Sequence, residues 1–120
     1  MLATISEVLV LLVALLHAYF LVLEMFLWDK SAGLKAFGQS KERAAATKVL
    51  AANQGLYNGF IAVGLVWGAI QGAAGYEFKV YFLLCVVVAG IYGAVTASRK
   101  ILYVQALPGL LALLLVLFSR

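Results

Sequence analysis

Residues 5–28, ISEVLVLLVALLHAYFLVLEMFLW, decide the fold. An apolar run this long exceeds the roughly 20 residues that a helix needs to cross a hydrocarbon core about 30 Å thick. The competing reading is a secretory signal. No basic stretch leads into the run, it continues well past the length of a signal core, and no A-x-A pattern follows it. A retained membrane span is the expectation.

Three further apolar segments match it: residues 49–71 (VLAANQGLYNGFIAVGLVWGAIQ), 78–96 (FKVYFLLCVVVAGIYGAVT) and 101–118 (ILYVQALPGLLALLLVLF). Hydrophobic residues make up 66% of the chain and charged residues 12%, with a mean hydropathy of +1.07. Soluble domains carry roughly a quarter charged residues. The expected fold is therefore all-α, an integral membrane four-helix bundle of antiparallel up-down topology. Its 120 residues form a single domain with no room for a separate soluble one.

Charge gives the orientation. The connection between the first two spans holds Lys30, Lys35, Lys41, Arg43 and Lys48, and the turn before the last span holds Arg99 and Lys100. Only Lys79 and Arg120 lie on the other side. Basic loops stay cytoplasmic, so both termini are expected outside. The net charge of +4 is then a matter of topology. A nucleic-acid partner is not expected, because the basic residues border spans and form no independent patch. The lone Cys85 sits within the third segment and has no disulfide partner in the chain.

Loop chemistry refines the boundaries. Gly33 and Gly38 are expected to break regularity between the first two spans, with Leu34 and Phe37 dipping into the interface beside their lysines. Ser40 reads as an N-cap, so the second helix is predicted to start near residue 41. The short turn at residues 96–100 makes the last two spans antiparallel neighbours. Small residues spaced four apart allow close helix contacts: Gly55 with Gly59, Gly64 with Gly68, Ala89 with Gly93 and Ala97, and Gly90 with Ala94. The two pairs on the second helix project to nearly opposite sides, and a homodimer is the expected assembly.

Polar residues inside the spans carry the functional reading. Glu24, Asn53, Gln54, Tyr92 and Gln105 fall roughly 6 to 9 Å inside the cytoplasmic boundary, one layer supplied by four helices. His17 and Asn58 lie deeper, with Tyr57 one turn nearer the cytoplasm. His17 and Glu24 share a face of the first helix but stand about 10.5 Å apart along it, too far to bond directly. Partners are expected from the second span: Asn53 or Gln54 for Glu24, Tyr57 or Asn58 for His17. Ionisable groups in hydrocarbon mark sites of proton exchange or ligand binding, although such a layer also fixes helix register. Pro108 removes the hydrogen bond to the carbonyl of Val104 and is predicted to kink the last helix beside Gln105.

The stretches HAYFLVLEMFLW (17–28), ANQGLYNGF (52–60), VAGIYGAVT (88–96) and VQALP (104–108) together resemble the small bacterial membrane family catalogued as domain of unknown function 1304. The resemblance spans essentially the whole chain. It implies a four-span protein of the bacterial inner membrane with no established activity, and its pattern includes His17, Tyr19, Glu24, Trp28, Asn53, Gln54, Tyr57, Asn58, Tyr92, Thr96 and Gln105. Small multidrug-resistance transporters share the length and a first-span carboxylate, but theirs is central whereas Glu24 lies near the cytoplasmic boundary. Sterol-isomerase-like membrane enzymes share only residue types.

Three readings follow. The first is a cytoplasm-facing polar pocket that binds or transports a small polar or amphipathic ligand, with Glu24 as charge or proton carrier, Asn53, Gln54 and Gln105 as hydrogen-bond partners, and His17 with Asn58 at its deeper end. The second is an enzyme acting on a lipid-like substrate, with His17 and Glu24 as acid and base. The third is a structural or partner-binding subunit. Membrane lipids are partners under all three. No metal site or cofactor is expected: one histidine and one cysteine on different helices make a poor ligand set.

Overall fold

The computed structural model describes residues 1–120 and is all-helical. Helix α1 spans Leu2–Met25, α2 Ser31–Phe37, α3 Lys41–Ile70, α4 Tyr76–Thr96 and α5 Leu107–Phe118. A 3-10 turn at Gly72–Gly75 precedes α4, and a π-helical stretch at Leu102–Ala106 runs into α5. Three of these helices are long and apolar enough to cross a membrane, Leu2–Met25, Lys41–Ile70 and Gly72–Thr96. The last apolar segment, Leu102–Phe118, is shorter. At 1.5 Å per residue it reaches only the lower end of the span range. Large apolar side chains such as Leu15, Leu50, Ile70 and Val95 are exposed on the helix surfaces, which suits helices apolar enough to cross a membrane.

The chain divides into two compact units, residues 1–14 with 63–120, and residues 15–62, with α1 and α3 each contributing to both. In the second unit, α1 and α3 run antiparallel. A Cβ added at Gly55 would lie 2.7 Å from the Met25 side chain and 3.1 Å from Cβ of Glu24, while one added at Gly59 would meet the side chain of Leu21. Rising numbers on α3 thus match falling numbers on α1. In the first unit the same logic pairs α3 with α4, with Gly64 under the Phe82 ring and Gly68 against Phe78 and Lys79. It also pairs α4 with α5, with Gly90 on Ala106 and Gly109 on Val86. Glycine at these points lets backbones approach where dispersion contacts are the main glue. The Gly64 and Gly68 face of α3 is therefore filled from within the same chain.

The connection 26–40 departs from expectation at Gly33. This glycine does not interrupt regularity: it lies inside α2, buried against the carbonyls of Leu27 and Trp28, where a side chain has no space. Gly38 does end the helix, with φ of 59°. The amide of Gln39 donates to the carbonyl of Leu34 at 3.1 Å, closing a Schellman motif that L-residues enter only with strain. Ser40 caps α3, accepting from the amide of Arg43 at 3.1 Å. Two side-chain links tie the ends of α1 and α3 together: Trp28 Nε1 donates to Thr47 Oγ1 at 3.1 Å, and Lys48 Nζ donates to Asp29 at 3.0 Å.

The Lys48 ammonium holds the Asp29 carboxyl below the usual carboxylate range. A carboxyl lowered in the folded state adds stability above its unfolded pKa, and that stability is lost as pH falls through the folded value. Acidification below about pH 4 is therefore expected to destabilise the native chain slightly more than the Asp29→Asn variant. Thermal unfolding of both across the acid range checks this. Because Lys48 is exposed and Asp29 half-buried, the difference is expected to be small and to shrink in high salt.

Pro108 follows a stretch of unusual helix. The preceding turn widens, so that the amide of Leu107 donates to the carbonyl of Leu102, five residues back. The wide turn absorbs the missing proline N–H within a continuous helical segment.

Candidate functional site

Glu24 sits one residue before the end of α1 and is only 2% exposed. Both its oxygens are met from α3: Gln54 Nε2 donates to Oε2 and Asn58 Nδ2 donates to Oε1, each at 2.6 Å. Residues four apart on a helix face the same way about 6 Å apart along the axis, so the two amides close on the carboxylate from above and below. Gly55 makes this reach feasible by bringing the α3 backbone against the stem of Glu24. Asn58 is buried whereas Gln54 is exposed. One side of the carboxylate is thus sealed, and the other lies behind a single side chain at the surface.

The remaining sequence candidates are placed differently. Asn53, one residue before Gln54, is turned about 100° around α3; its amide donates to the carbonyl of Val49 on its own helix at 2.9 Å. Asn58 joins Glu24 where the spacing suggested His17. Tyr57 is exposed and packs against Phe60, with ring centroids 6.1 Å apart. His17 is completely buried, its ring set edge-on to Phe20 at 5.3 Å. Tyr92 and Gln105 belong to the other unit, Tyr92 exposed on α4 and Gln105 half-buried in the π-helical stretch.

A second ionic group was not anticipated. Lys79, expected only as a flanking charge, is buried on α4 and donates to Glu7 Oε1 at 2.6 Å and to the carbonyl of Gly72 at 3.1 Å. The signal for it was present: a carboxylate inside the first apolar run needs a cation from another helix. Ser6 beside it is buried as well.

Chemically, the Glu24 group is a carboxylate gripped by two amides. An amide offers its NH₂ to an ionised carboxylate and, turned over, its carbonyl to a protonated one, so the same pair suits either form. No group of three or more His, Cys, Asp or Glu side chains with metal-binding geometry is present.

A family model described as protein of unknown function (DUF1304) matches residues 11–117, which include every residue of the Glu24 group. The chain belongs to this family. This DUF1304 chain is also similar to the uncharacterized protein YpaA of Lactococcus lactis subsp. lactis (strain IL1403), at 33% identity over 109 residues, covering 89% of this chain and 92% of the relative. No solved structure matches it.

Proposed function

We propose that this DUF1304 member is a multi-pass protein of the bacterial inner membrane, with four spans and both termini outside, that binds and moves a small polar or amphipathic ligand at Glu24. The observation that carries the reading is a carboxylate buried at a helix end, held by Gln54 and Asn58, with exposed Gln54 as its lip. A carboxylate in apolar surroundings favours a positively charged occupant or a proton in its place. Rotation of the Gln54 side chain opens the oxygen it covers, and the ligand's cationic group then exchanges with the proton. Asn58 keeps the other oxygen fixed.

The experiment uses tetraphenylphosphonium as an amphipathic cation probe on purified protein in weakly buffered detergent. Binding is expected to release up to about one proton per chain, and Glu24→Gln is expected to abolish both release and binding while leaving the fold intact. Glu24→Ala is expected to lose about 1–3 kcal/mol of stability in detergent, because the buried Asn58 amide is stranded. Unchanged probe binding in Glu24→Gln sinks the reading.

The hydrogen bond to each carboxylate oxygen favours a second role, a pin that fixes the register of α1 on α3. In that case the native protein binds no probe, Glu24→Gln is neutral or stabilising because a buried charge is gone, and Glu24→Ala still destabilises.

A further inference from the structure

The unit formed by residues 1–14 and 63–120 contains a half-open cleft of about 730 Å³. This lies within the range of about 300–1,000 Å³ typical of small-molecule sites. Its lining carries two carboxylates, Glu7 and Glu77, and two cations, Lys79 and Arg120. The Arg120 guanidinium stacks 4.4 Å from the centre of the Tyr76 ring, which orients a cation in the cleft without neutralising it.

The Lys79–Glu7 pair in its lining is not saturated. An ammonium has three N–H donors, and Lys79 uses two of them on Glu7 Oε1 and the Gly72 carbonyl. One donor on Lys79 and Oε2 of Glu7 remain beyond these bonds. A single fixed charge in the ligand satisfies one partner and repels the other. A molecule carrying both an oxyanion and an ammonium satisfies both. Phe78 and Val116 add an apolar wall to the same cleft.

We propose that this cleft binds a zwitterionic group, an ammonium and an oxyanion a few bonds apart, with the oxyanion on Lys79 and Arg120 and the ammonium on Glu7 and Glu77. An ethanolamine phospholipid and a free phosphoethanolamine share this chemistry. The site contains none of the residues around Glu24, so it stands or falls separately from the role proposed for that carboxylate.

The test is calorimetric titration of the purified full chain in detergent with three probes: phosphoethanolamine, a lysophospholipid with an ethanolamine headgroup, and its glycerol-headgroup counterpart. The ethanolamine lysolipid is expected to bind at least about tenfold more tightly than the glycerol one. Binding of phosphoethanolamine as well identifies the headgroup as sufficient and the source as soluble or lipid. Binding of the lysolipid alone supports the same chemistry with a lipid source, the Phe78 and Val116 wall holding the chain. Equal binding of both headgroups, or of none, overturns the proposal.

The double variant Glu7→Gln, Lys79→Gln keeps a hydrogen-bonded pair without charge and is expected to lose the headgroup preference. Retained preference overturns the proposal too. If that variant does not fold, Arg120→Gln decides at an exposed position: a severalfold weaker ethanolamine lysolipid supports the site, and unchanged affinity rejects it.

Discussion

Gly90→Leu is expected to cost about 3 kcal/mol or more, the upper end of overpacking effects, because the group it meets cannot move aside. A Cβ at Gly90 would lie 2.6 Å from the backbone nitrogen of Ala106 and 2.7 Å from its Cα. Those atoms belong to the π-helical stretch just before Pro108, so relief requires shifting the whole segment against α4. Even Gly90→Ala is expected to destabilise, although alanine inside an ordinary helix gains about 0.5–1 kcal/mol over glycine. Gly93→Ala serves as the contrast. Its Cβ would meet only the Ile101 side chain, at 3.1 Å and 3.2 Å, and a side chain can rotate away. Unfolding in mixed detergent micelles measures both, and a Gly90→Ala protein as stable as Gly93→Ala would show that the α4–α5 contact is looser than described.

Lys79→Met is expected to cost about 3 kcal/mol, the lower end of the range for breaking a buried ion pair. Glu7 would lose its cation, but its side chain is 30% exposed, so water offsets part of the penalty. Adding Glu7→Gln to Lys79→Met is expected to recover most of the loss, since the stranded charge is then gone. The double-mutant cycle isolates the coupling between the two side chains. A Lys79→Met protein within about 0.5 kcal/mol of the native one would mean that the pair adds nothing to the fold.

Much of the architecture was legible from residue order. The start of α3 at Lys41 followed from Ser40, whose hydroxyl has one effective use beside an unpaired amide. The three long apolar helices followed from runs long and apolar enough to cross a membrane. Gly33 was misread because a glycine in a loop suggests a break, whereas here it marks a place where two carbonyls come too close for any side chain. At Pro108 the sequence shows the missing N–H but not the wide turn that precedes it.

The sequence left Asn53 or Gln54 open for Glu24 and assigned Asn58 or Tyr57 to His17, whereas Gln54 and Asn58 both meet Glu24. Spacing on α3 separates Asn53 from the face shared by Gln54 and Asn58, because successive residues turn by about 100°. Which of them would reach Glu24 depended on how closely α3 approaches α1, and that distance is set by Gly55 against Leu21, Glu24 and Met25. That Glu7 needs a cation was legible in the sequence, but that Lys79 supplies it was not, since their bond joins helices whose segments lie far apart along the chain. The sequence by itself thus determined that this protein is helical and apolar enough to cross a membrane, because hydrophobicity and helix propensity are local properties summed along the chain. The tertiary structure alone decided that Glu24 meets Gln54 and Asn58 and that Glu7 meets Lys79, because such pairing depends on how closely helices far apart along the chain approach one another.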